Sequence, residues 1–238
     1  EDGPALPIVV RTTIVLALVL AVLGQLVTGA VTTSLAADED GRAPSVRAAL
    51  RAGVAAFLPL LGMTALAALV QALLVGIGGL AASSIDHGLQ AGLGDARAFT
   101  VRLLALSVFV AAAASVGVVA DLARVEIARA VALGGSARSN PMKRILGGAI
   151  VAVRAARGAG GGVLLAWGWR AALGLALVYA GAVAGDVAGG GGPALWGLLA
   201  VHQLVILGRA ALRASWLACA LRLVVPVAAA DERIPGLT

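Results

Sequence analysis

From Leu103 to Ala120 the chain carries no charge, and it then passes, without a helix breaker, into Asp121-Leu122-Ala123-Arg124-Val125-Glu126-Ile127-Ala128-Arg129. About eighteen apolar residues in succession are roughly what crosses the hydrocarbon core of a bilayer. A membrane helix is therefore expected to run straight on into a charged, cytoplasmic extension. Composition points the same way: 61% of the 238 residues are hydrophobic and 13% charged, with a mean hydropathy of +1.00, whereas a soluble globule carries about twice that charge. Lipid is the solvent for most of this chain.

Eighteen basic residues against twelve acidic ones leave a net charge of +6. No soluble basic domain with interleaved aromatics is present to bind nucleic acid, so the excess reads as membrane topology. Lys143 is the sole lysine, so the basic residues are almost all Arg, in a chain rich in Ala, Gly and Val, a bias attributed to GC-rich bacterial coding. Cys219 alone cannot form an internal disulfide, and His87 and His202 are too few for a His-rich metal site.

The hydropathy pattern predicts an all-α polytopic transmembrane bundle, one domain over 1–238, with five spans at about 8–36, 54–82, 103–120, 163–185 and 194–225. Asp38 to Pro44 breaks the pattern after the first span. Residues 45–53 then read as a short interfacial helix, with Arg47 and Arg51 four apart and Val46, Ala49 and Leu50 on the other face. Residues 83–102, with Gly88, Gly92 and Gly94, read as a loop. Ser139-Asn140-Pro141 is a cap with proline at the first helical position. It opens a helix over 141–158 whose apolar stripe is Met142, Ile145, Leu146, Ala149, Ile150 and Val153. Lys143, Arg144, Arg154 and Arg157 lie off that stripe, the pattern of a basic amphipathic helix on an anionic leaflet. Gly158 to Gly162 is a hinge, Asp186 to Pro193 a glycine-rich turn, and Pro226 onward a polar tail.

Arginine and lysine concentrate in the first-to-second and third-to-fourth connections and in the tail, which places these and the C-terminus in the cytoplasm and Glu1 outside. An outside N-terminus calls for an upstream span or signal, so six spans are expected in the parent protein.

Asp121, Arg124, Glu126 and Arg129 stand at i, i+3 spacing, and mutual neutralisation is favoured over a functional role. Arg209 and Arg213 lie one turn apart in the last span, where a charge costs roughly 2.5–3.5 kcal/mol and calls for a partner. Asp121 or Glu126 is the expected partner, with snorkelling to head groups the competing account. His202-Gln203 is expected to make one interhelical hydrogen bond, and Arg170, beside Trp167 and Trp169, to be an interfacial anchor. Gly189 to Gly192 has no following lysine and is a turn rather than a phosphate cradle. No catalytic triad order, zinc spacing or paired intramembrane carboxylates occur, so catalytic, cofactor-binding and metal residues are expected to be absent.

At Ala120-Asp121-Leu122-Ala123-Arg124-Val125, Gly41 to Arg51 and His202-Gln203-Leu204 the chain resembles a bacterial group of multi-span proteins related to the membrane domain found beside glycerophosphodiester phosphodiesterases. Leu122 stands where that group commonly has tyrosine. The resemblance implies six spans and no catalytic domain in this piece. The function expected is that of a non-catalytic scaffold or accessory subunit in the bacterial inner membrane, with anionic lipids and other membrane subunits as partners. A transporter or channel for a small solute or lipid is the alternative; its polar residues at mid-membrane would be expected in matching halves, and here they are sparse.

Overall fold

The computed structural model describes residues 5–39, 45–93, 95–133, 140–188 and 192–231. These form α1 (Ala5–Glu39), α2 (Val46–Leu93), α3 (Asp95–Ala132), α4 (Pro141–Ala159), α5 (Gly161–Ala188) and α6 (Pro193–Asp231), with no strand among the described residues. All but α4 are long and apolar enough to cross a membrane, which makes the chain an all-α polytopic bundle with five candidate spans. Their outward faces are apolar, as lipid contact demands: Leu69, Leu73 and Leu80 on α2, Leu104 and Val108 on α3, Leu175 on α5 and Leu204 on α6 are all exposed. Residues 40–44, Gly94, 134–139, 189–191 and the tail from 232 lie outside the described residues. With them go most of the acidic break, Ser139 of the expected cap and part of the glycine-rich turn.

Several helix ends differ from the expected ones. α2 runs unbroken for 48 residues, so the interfacial helix at 45–53, the second span and half of the expected loop are one element. The physical reason is that glycines alone do not stop a helix whose neighbours are Leu and Ala, and no proline lies between Pro59 and Pro141. Ser45 caps the start, its Oγ accepting the N–H of Ala48 at 3.3 Å. α6 likewise passes through Pro226 to Asp231; a proline removes one backbone donor, and the alanines that follow restore helix propensity.

Other breaks fall where the residues demand them. Asn140 Oδ1 accepts the N–H of Met142 at 3.0 Å, with Pro141 as the first helical residue. Gly160, at φ 57°, separates α4 from α5 in the left-handed conformation that only glycine adopts freely.

The sequence reads as one domain, and the contacts divide it into two compact units, Glu1–Ala152 and Val153–Thr238. In the first, α2 packs along α3 and α1 packs against both. The α1–α2 crossing is glycine on glycine: a Cβ on Gly53 would stand 2.9 Å from the Leu26 carbonyl oxygen, and one on Gly29 would stand 3.1 Å from Gly53 Cα. Farther along α2, Gln71 Nε2 donates to the Ala113 carbonyl at 2.9 Å, and Gly117 leaves room for that amide. In the second unit α5 pairs with α6, Gly181 facing Val205 and Gly208 facing Leu177.

Burial in the first unit concentrates around the charged end of α3. Leu122, Ala123, Val125 and Ala128 are completely enclosed. Close approaches from Gly148 on α4 to Ile127 and Ala123, and from Gly29 on α1 to Leu60 on α2, build the same layer.

Candidate functional site

The buried charged groups described lie on the stretch that the sequence marks as a charged extension. Asp121, Glu126 and Arg129 are all buried. Helical rise brings residues three apart onto neighbouring turns of one face. Arg124 Nη1 donates to Asp121 Oδ1 at 2.6 Å, and Arg124 Nε donates to Thr64 Oγ1 of α2 at 3.1 Å. Thr64 Oγ1 in turn donates to the Leu60 carbonyl at 2.8 Å. One turn on, Arg129 engages Glu126 in a two-point contact, Nε to Oε2 at 2.8 Å and Nη2 to Oε1 at 3.1 Å, the fork-to-fork geometry of the strongest charge-assisted pairs. Each carboxylate thus has its cation within one turn. Such a layer orders the packing of α3 against α2.

On α4 the structure separates three kinds of surface. Gly148, Val151, Ala152 and Ala155 are buried, small residues that let the helix sit close to its neighbours. Met142, Leu146 and Ile150 of the expected apolar stripe are exposed instead. Lys143, Arg154 and Arg157 are exposed and Arg144 half-buried. At 100° per residue Lys143, Arg154 and Arg157 flank Met142, Leu146 and Ile150 on the side opposite the small residues. Half of the stripe inferred from spacing, Met142, Leu146 and Ile150, therefore faces outward beside the charges, while Ile145, Ala149 and Val153 are half-buried and the inward face is made of Gly148, Val151, Ala152 and Ala155. The start of α2 repeats the outward pattern, with Arg47 and Arg51 beside exposed Val46, Leu50 and Val54.

In the second unit Arg209 and Arg213 share a wall of an open groove between α5 and α6, about 380 Å³ in volume. Its lining repeats at helical spacing: Trp167, Arg170, Gly174 and Val178 from α5 face Arg209, Arg213 and Trp216 from α6. Arg170 is fixed across the hairpin, its Nε and Nη2 both donating to Ser215 Oγ at 3.2 Å. Its guanidinium lies over the Trp169 ring, 4.6 Å from the centroid. Arg170 is thus a groove residue as well as a neighbour of tryptophan. No hydrogen bond or ion pair to Arg209 occurs among the described residues.

His202 Nδ1 lies 2.9 Å from the Leu198 carbonyl of its own helix, where an interhelical bond was expected. Polar groups that spacing did not single out are Thr32 and Thr33, buried near the end of α1. Both bond back to carbonyls one turn earlier, Thr28 at 2.8 Å and Gly29 at 2.7 Å; the run of hydroxyls in an apolar helix was the available signal. Among the described residues no group of three or more His, Cys, Asp or Glu side chains could hold a metal ion. No protein family model, no curated protein and no solved structure matches the chain.

Proposed function

We propose that this chain is a non-catalytic integral membrane protein of the bacterial inner membrane that works as a scaffold or accessory subunit, docking other membrane proteins against an anionic leaflet. The observation that supports this reading is the buried ion-pair layer of α3: Asp121 is bonded to Arg124, Glu126 to Arg129, and Arg124 also to Thr64 of α2. Charges in a membrane helix pair with one another to offset their cost, and a layer paired within α3 and to α2 serves helix packing. The basic outward faces of α4 and of the start of α2 give the protein a surface for acidic head groups. In the orientation proposed, those faces and the C-terminus are cytoplasmic and the N-terminus of this piece is outside, as the arginine distribution favours.

Isolation in mild detergent followed by identification of what copurifies is the test. A stoichiometric protein partner is the expected result. A monomer that carries a solute and no protein partner would replace the scaffold with a transporter or channel.

A further inference from the structure

We infer that the α5–α6 groove is a binding site for one anionic phospholipid, with the phosphate held by Arg170, Arg209 and Arg213 and an acyl chain laid along Gly174, Leu175 and Val178. This goes beyond the scaffold reading and does not depend on it, because the whole site lies on one helical hairpin.

The argument starts from depth. α5 ends at Ala188 and α6 begins at Pro193. Measured from those residues at ~1.5 Å per residue, the three arginines lie about 24–30 Å along the helices. A hydrocarbon core is about 30 Å thick. With the hairpin end at one face, the guanidinium groups of all three arginines reach the head-group level of the other, and Trp167, Trp169 and Trp216 stand at the same level as an aromatic belt. Val178, Leu175 and Gly174 lie about 15–21 Å along by the same measure, inside the hydrocarbon. The groove is therefore polar and cationic at its interfacial end and apolar below it, which is the shape and polarity of a lipid rather than of a small ion.

Charge and space agree with this occupant. Among the described residues no carboxylate lines the groove, and Arg170 bonds only neutral groups there, Ser215 Oγ and the Ala166 carbonyl. Arg170 is positioned by Ser215 and Trp169, and Arg209 has a guanidinium uncommitted among the described residues. Guanidinium groups pair phosphate oxygens in two-point contacts. The floor is open as well: a Cβ on Gly174 would meet nothing within 4 Å.

The test uses the full chain, purified in mild detergent, titrated with dioleoylphosphatidylglycerol and with dioleoylphosphatidylcholine, and read by native mass spectrometry. The anionic lipid is expected to bind at least ten-fold more tightly. Arg209→Gln, which breaks no bond among the described residues, lowers that affinity about five-fold, the effect of one basic residue at an anionic surface. Gly174→Leu fills the acyl channel without touching a charge and improves helix propensity, so loss of lipid binding in that variant cannot be ascribed to misfolding. Equal affinity for the two lipids would overturn the proposal. So would full displacement of the lipid by inorganic phosphate at equal concentration together with unchanged binding in Gly174→Leu, which would mark a free-anion site.

Discussion

A guanidinium and a carboxylate three residues apart on a helix meet without help from any other element, and this is why Asp121–Arg124 and Glu126–Arg129 are readable from spacing alone. Their burial is not readable that way. It depends on Leu60 and Thr64 from α2 and on Gly148 from α4 closing over α3, and nothing within 121–129 specifies those neighbours. Burial changes the energetics: an exposed helical pair contributes about 0.3–0.5 kcal/mol, whereas removing one partner of a buried pair costs about 3–5 kcal/mol because the other charge is left uncompensated. Glu126→Gln and Arg129→Gln should each lower the thermal midpoint in detergent, and the double variant should lose at least 1 kcal/mol less than the sum of the two. A strictly additive cycle would show that the two-point contact carries no coupling.

At the scale of elements, the existence of the helices is legible in hydropathy, and their boundaries only in part. Breaks built from local chemistry, the Asn140 cap and the left-handed Gly160, are where spacing predicts them. The breaks expected at the glycines of 83–93 and at Pro226 are helix instead, since the cost of such residues is a few kcal/mol at most and packing along a partner helix offsets it. Glycine has a second role that only the paired structure reveals. At Gly53 the space for a Cβ is filled by the backbone of α1, while at Gly79 it is empty. Gly53→Ala should therefore destabilise the first unit by about 1–3 kcal/mol, as overpacking does, and Gly79→Ala should be neutral or stabilising by up to about 1 kcal/mol. Thermal unfolding of the two variants, measured side by side in one detergent, is the comparison that decides. The α5–α6 groove was illegible for a related reason. Arg170 and Arg209 are far apart in sequence, and only the register of the hairpin brings them to one level.

For the whole molecule, the alternation of sides is the property that sequence predicts and labelling can measure. With Cys219→Ser as background, a cysteine placed at Ser45 or at Lys143 should react with a membrane-impermeant reagent only from the cytoplasmic side, and one at Ser84 only from the outside. Ser84 and Lys143 labelled from the same face would remove α3 from the set of spans. α3 also joins two regimes that soluble proteins keep in the opposite order: its uncharged half is exposed at Leu103, Leu104 and Val108, and its charged half is enclosed. The solvent decides which is the core. Where lipid surrounds the helix, apolar side chains need no shelter from it, and the charged turns are the ones that gain by being covered.

The short range of the α3 ion pairs has a consequence for how the chain is made. Pairs that close within one helical turn need no loop to be ordered and no later segment to be synthesised. Asp121 and Glu126 find Arg124 and Arg129 as soon as those few residues are helical, on the sub-microsecond timescale of helix growth, and long before α4 exists to cover them. To the machinery that sorts segments between water and lipid, the end of α3 is presented with no net charge and with each carboxylate within reach of its own cation. It can wait at the membrane edge as a neutral helix until α2 and α4 close around it.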